Sequence, residues 1–194
     1  MKRSRRWVLG TLAALCLGAG GFALERSFYP VEPDLSGLET GLQDFWMRGR
    51  PAGTPPEMLV HQHLPVGDRI YVLFEVGPEL DLGTAALERS WTGRWRVGHM
   101  GWGGGNVREE VVETGGRQYI LLGGRNTGEQ IVSAAFTLDG TAYQVEIPRQ
   151  PRFLVCTEVD GRTEAAHLDL GTLTWYNAQG GEVTVDYIQP VSGE

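Results

Sequence analysis

Residues 70–76 read Ile70-Tyr-Val-Leu-Phe-Glu-Val76. Ile70, Val72, Phe74 and Val76 alternate with Tyr71, Leu73 and Glu75. Successive side chains of an extended chain point to opposite faces, so the stretch predicts a β-strand with one buried face. The same period of two recurs in Val132-Ala134-Phe136-Leu138, in Tyr143-Val145-Ile147 and in Val183-Val185-Tyr187. Turn residues fall between such runs: Gly115-Gly116, Asp139-Gly140, Asp160-Gly161 and Gly180-Gly181. These pairs supply the positive φ angles of tight hairpins. Spaced this way, residues 57–190 predict about nine short strands with local connections. The fold class is all-β: an antiparallel β-sandwich or open barrel. Its expected core holds Ile70, Val72, Phe74, Trp95, Phe136, Tyr143, Val145, Trp175 and Val185.

Upstream, the pattern changes. Leu35, Leu38, Leu42, Phe45 and Trp46 recur at helical spacing and predict one amphipathic helix over 35–47. Ser36 and Glu39 read as a capping box at its start. The loop RGRPAGTPP at 48–56 ends it, and ERSFYPVEPD at 25–34 reads as a tether, so 25–56 is a tether plus helix.

Residues 1–24 read as an address. MKRSRR is basic, and residues 7–24 are uncharged with an apolar core WVLGTLAALCL. This fits a signal peptide cleaved after Ala23 in Gly21-Phe22-Ala23, or an N-terminal membrane anchor left in place. Arg5-Arg6 resembles a twin-arginine export signal, and Leu12-Ala-Ala-Leu-Cys16 a lipoprotein box with a bulky Leu15 where the pattern departs. Either way the expected location is extracytoplasmic, membrane-anchored or secreted.

Composition narrows the partners. Of 194 residues, 41% are hydrophobic and 21% charged, a globular balance. Setting aside Lys2, Arg3, Arg5 and Arg6 from 17 basic residues leaves 13 against 24 acids, a balance of −11 for the remainder. Such a body repels nucleic acid, so no nucleic-acid partner is expected. Cys16 and Cys156 should end on different sides of an export event, which argues against an internal disulfide, and Cys156 within RFLVCTEV reads as a small buried hydrophobe.

Four patterns could carry chemistry. GHMGWGGGN at 98–106 has Asn106 where a dinucleotide fingerprint needs its third glycine, no lysine for a P-loop, and a β-like sequence after it. No nucleotide and no other cofactor is expected; the stretch reads as a connection or bulge leaving His99 and Trp102 at a sheet rim. His61 and His63 would share one face of a straight strand about 7 Å apart, as two ligands of one metal ion would, or as a solvent face. A third ligand such as His99 would have to converge. Serines are few after the leader and none sits in G-x-S-x-G, so the chain reads as a non-enzyme. Trp91, Trp95 and Trp102 cluster; Trp95 shares a face with Val97 and reads as core, while Trp91, Trp102 and His99 are the candidate ligand-binding residues.

Gly124-Arg125-Asn126, Tyr143-Gln-Val-Glu-Ile147-Pro148, Phe153 and Thr174-Trp175-Tyr176-Asn177 carry a resemblance. Across roughly residues 70–187 the body resembles an uncharacterised family of exported or membrane-anchored small proteins of spore-forming Gram-positive bacteria. The resemblance implies an extracytoplasmic β protein and transfers no catalytic mechanism.

The expected function is therefore a non-enzymatic extracytoplasmic β-domain, tethered or secreted, that binds a protein or cell-envelope component. It would touch the membrane through its N-terminal segment if that stays uncleaved. The alternative is a metal- or carbohydrate-dependent hydrolase with a site near His61, His63 and His99. A third reading is an accessory subunit recognised through Leu42, Phe45 and Trp46 on an exposed helix face.

Overall fold

The structure, a computed structural model, describes residues 20–103 and 105–185. Residues 20–28 are helical, and a second helix, α1, spans Leu38–Met47. Eleven strands follow: β1 Met58–Val66, β2 Arg69–Val76, β3 Asp81–Arg89, β4 Trp95–Gly103, β5 Val107–Thr114, β6 Arg117–Arg125, β7 Ser133–Leu138, β8 Thr141–Glu146, β9 Arg152–Glu158, β10 Thr174–Tyr176 and β11 Glu182–Val183. All pairings are antiparallel. The first sheet is a meander, β1-β2-β3-β4; the second is β5-β6-β9; the third is β11-β10-β7-β8. The all-β, sandwich-like class expected from the alternation is the observed one.

The layers explain which residues are buried. On its outer face the first sheet sets Val72, Phe74, Val76, Ala85, Leu87, Val97 and Met100 against Leu38 and Leu42 of α1. On its inner face Tyr71, Leu73, Leu82 and Ala86 meet Val112, Leu121 and Leu154 of the second sheet. The second sheet turns Val107, Ile120, Leu122 and Phe153 the other way, onto Ala134, Phe136, Leu138 and Trp175 of the third. The order is helix, sheet, sheet, sheet. Each large apolar side chain so enclosed contributes about 1.5–3 kcal/mol.

This stacking corrects the one-sided burial read from residues 70–76. Tyr71, Leu73 and even Glu75 are as enclosed as Val72 and Phe74, because β2 is covered on both faces. Of the expected core, Val72, Phe74, Trp95, Phe136 and Trp175 are buried; Ile70, Tyr143, Val145 and Val185 are half-buried at its margins.

The turn chemistry holds at two hairpins. Gly115-Gly116 joins β5 to β6 and Asp139-Gly140 joins β7 to β8, with positive φ at both central residues of each (60° and 75°, 50° and 79°). Asp160-Gly161 is not a hairpin: β9 pairs back to β6, and an irregular segment carries the chain on to β10.

Three upstream expectations change. The helix starts at Leu38, with Gly37 as its N-cap at φ 80° and no side-chain cap. Ser36 does not form a capping box with Glu39, because its N–H and hydroxyl both donate to Asp34 Oδ1, at 3.0 and 2.7 Å. The helix keeps its apolar side against its own sheet, where Leu42 is fully buried and Phe45 and Trp46 pack half-buried. Nor is 25–34 a loose tether. Val31 is fully buried and forms a β-bridge to Trp95, its N–H donating to Trp95 O (3.1 Å) and its carbonyl accepting from Trp95 N–H (2.9 Å). Arg94 donates to Tyr29 O (2.7 Å) and Pro30 O (2.9 Å) and pairs with Glu32.

Of residues 1–24, expected to be a signal peptide or membrane anchor, 1–19 lie outside the described residues. Among the described residues, no helix is long and apolar enough to cross a membrane.

Candidate functional site

The glycine-rich stretch 98–106 is mostly strand, since β4 runs to Gly103. A bulge lies where Ala86 faces His99 and Leu87 faces Val97, leaving Gly98 as the extra residue. A Cβ there would lie 2.7 Å from the Glu88 carboxylate, which holds the Arg96 guanidinium at 2.6 Å. Trp102 is not an exposed platform. Its ring sits 3.9 Å from that of Trp46 on α1, and Arg50 lies over both rings at 5.4 and 4.2 Å. Trp102 thus helps to seat the helix.

The three histidines do not converge. A second bulge, between Val60 and Gln62, places His61 out of alternation. His61 Nε2 turns inward to Glu75 Oε2 at 2.8 Å, while His63, opposite the outward-facing Val72, is exposed beside Leu38 and Glu39. The expected shared face is therefore absent: the two rings lie on opposite faces of the sheet. His99 is on β4 at the other edge, three strand spacings or about 14 Å away. Among the described residues no group of three or more His, Cys, Asp or Glu side chains surrounds a common point where an ion could sit.

What His61 joins is a buried charge cluster invisible to the motif reading. The Glu75 side chain is 1% exposed. Its Oε1 accepts from Arg125 Nε at 2.8 Å and Arg152 Nε at 3.0 Å, and its Oε2 lies on His61. Arg125 also donates to Asn106 Oδ1 (3.1 Å) and to the Leu80 carbonyl. Burial pushes the Glu75 carboxyl up, but Arg125, His61 and Arg152 outweigh it and leave it below the usual carboxylate range. Both carboxylate oxygens are committed, so Glu75 ties first sheet to second and is no free base. Asn126, next to Arg125 in Gly124-Arg125-Asn126, is fully buried and closes the loop to Ile131 with two hydrogen bonds of 2.9 and 3.0 Å.

Among the other perturbed groups, Glu109 and Cys156 are both raised and lie apart from one another. Burial raises Glu109, against the Leu168 N–H (2.7 Å) and His167 that pin the segment after β9. Burial also raises the Cys156 thiol, which disfavours the thiolate and keeps it a packing residue.

One open part of the described structure is an end of the first sheet. Register puts Val66, Arg69, Glu88 and Arg96 in one row, so the β1–β2 and β3–β4 turns lie side by side. Between them is a cleft of about 580 Å³ lined by Pro65, Gly67, Asp68, Arg69, Ile70, Glu88, Arg89 and Trp95. Its acids have internal partners: Asp68 accepts from the Thr114 hydroxyl and Glu88 holds Arg96. Arg89 lies 5.6 Å over the Trp95 ring, and neither Arg69 nor Arg89 forms an ion pair among the described residues. At the tip of the β3–β4 turn Trp91 is 84% exposed, the most exposed of the large hydrophobic residues described. Of the three candidate ligand-binding residues, Trp91 and His99 are exposed and Trp102 is half-buried; Trp91 follows two residues after Arg89, which lines the cleft. No protein-family model, no curated protein and no solved structure matches this chain at a significant level.

Proposed function

We propose that this protein is an extracytoplasmic, non-enzymatic β-domain, held at the membrane by its N-terminal segment, that binds a cell-envelope component through the turn end of its first sheet. The observation that supports it best is Trp91, an almost fully exposed tryptophan beside an arginine-bearing cleft, in a molecule whose buried acid Glu75 is internally saturated. Tryptophan and arginine are among the residues most enriched at the hot spots of binding surfaces. The leader sequence supplies the address. The hydrolase alternative would draw on His61, His63 and His99 together, and their placement on two faces and two edges of the sheet does not favour it.

The test is topology with metal content. In intact spheroplasts expressing the full chain, protease added outside should degrade it while a cytoplasmic marker survives. Protection equal to that of the marker would contradict the proposal. So would a stoichiometric metal in purified protein that His63→Ala removes.

A further inference from the structure

We infer that the envelope component is the lipid bilayer itself, and that the turn end of the first sheet lies against the headgroup region with Trp91 and Phe28 at the boundary between headgroups and acyl chains. The inference rests on the tethered reading above. Three observations carry it. First, the helix at 20–28 exposes its large apolar residues: Phe22 is 50%, Leu24 61% and Phe28 63% exposed. A surface helix of a globular protein hides such residues unless another phase covers them. Second, this helix is joined to the turn that carries Trp91: the Thr92 hydroxyl donates to the Glu25 carboxylate, and Arg94, two residues on, grips Tyr29, Pro30 and Glu32. Phe22, Leu24, Phe28 and Trp91 therefore belong to one end of the molecule, and the β-bridge at Val31 fixes that end to the first sheet.

Third, the chain length fits. Residues 7–24 are uncharged, and 18 residues at helical rise cover about 27 Å, against about 30 Å for the acyl region of a bilayer. A span ending at Leu24 places Glu25 and Arg26 at the boundary, and Glu25 is bonded to the residue next to Trp91. Tryptophan favours that depth because its ring is apolar and its N–H is polar. Arg69 and Arg89 then lie at headgroup level, where forked guanidinium donors meet lipid phosphate, while Arg26 beside them is held by Glu32 at 3.2 Å. The −11 balance of the body would be repelled by anionic lipid, so a local arginine set gives this one end its preference.

The experiment reconstitutes the full chain carrying Trp7→Phe, which removes the tryptophan at the far end of the span, with and without Trp91→Phe, in phosphatidylcholine vesicles with acyl-chain bromine. The protein that keeps Trp91 should show bromine-quenched, blue-shifted emission, and Trp91→Phe should lose that component while keeping the emission of the buried Trp95 and Trp175. Equal quenching of the two proteins, with the chain intact and sedimenting with vesicles, would overturn this inference and leave the tethered reading standing. Native protein whose mass shows it begins at Leu24 would overturn both. A Trp91-dependent shift that needs no bromine and grows with protein density would assign the surface to a second copy of the chain, and would also overturn it.

Discussion

At the residue scale, Glu75 shows how position in a stack overrides pattern. In the alternation of residues 70–76 a glutamate marks the wet face. Here a second sheet lies on that face and supplies Arg125 and Arg152, residues 50 and 77 positions away. Nothing local in the sequence announces such a match. Truncating one partner of a buried ion cluster strands the others, so Glu75→Ala should cost about 3–5 kcal/mol in urea unfolding. The folded pKa of Glu75 lies below its unfolded value. The stabilisation is therefore complete above the unfolded value and is lost as pH falls through the folded one. The urea midpoint of the wild type should drop as pH goes below about 4, and more steeply than that of Glu75→Gln. Gly124 offers a second check. A Cβ on it would lie 2.6 Å from the Phe153 ring, whose edge meets Trp175 with ring centres 5.8 Å apart. Gly124→Ala should destabilise by about 1–3 kcal/mol through overpacking, read as a lowered melting temperature.

At the element scale, strands and hairpins were legible because period two and the Gly-Gly and Asp-Gly pairs are local signals. Bulges were not. One extra residue at His61 reverses where its ring points, and one at Gly98 keeps a glycine-rich stretch in the sheet. The helix was legible by its 3.6 period, but its start was not: Asp34 takes both donors of Ser36 and leaves the cap to Gly37. Since α1 covers the outer face of the first sheet, Trp46→Ala should cost about 2 kcal/mol and expose Trp102, seen as a red-shifted emission. Val72→Asp places a carboxylate in the fully buried layer between β2 and α1 and should abolish the cooperative melt.

At the scale of the whole molecule, composition and alternation give the all-β class, while the stacking order rests on pairings distant in sequence, β6 with β9 and β7 with β10. The same holds for the proposed binding end. Trp91 was legible as a candidate because tryptophan is costly to expose, yet what sets it beside the N-terminal helix is the Glu25–Thr92 bond and the Arg94 contacts, which link residues more than 60 positions apart. The central claim is that residues 25–32 are a docked part of the domain and not a tether. Amide hydrogen exchange on the full chain tests this most directly. The Val31 N–H, bonded to Trp95 O, should exchange as slowly as the Trp95 N–H bonded in return. Exchange of Val31 at the rate of an unstructured peptide, with Trp95 still protected, would contradict the account.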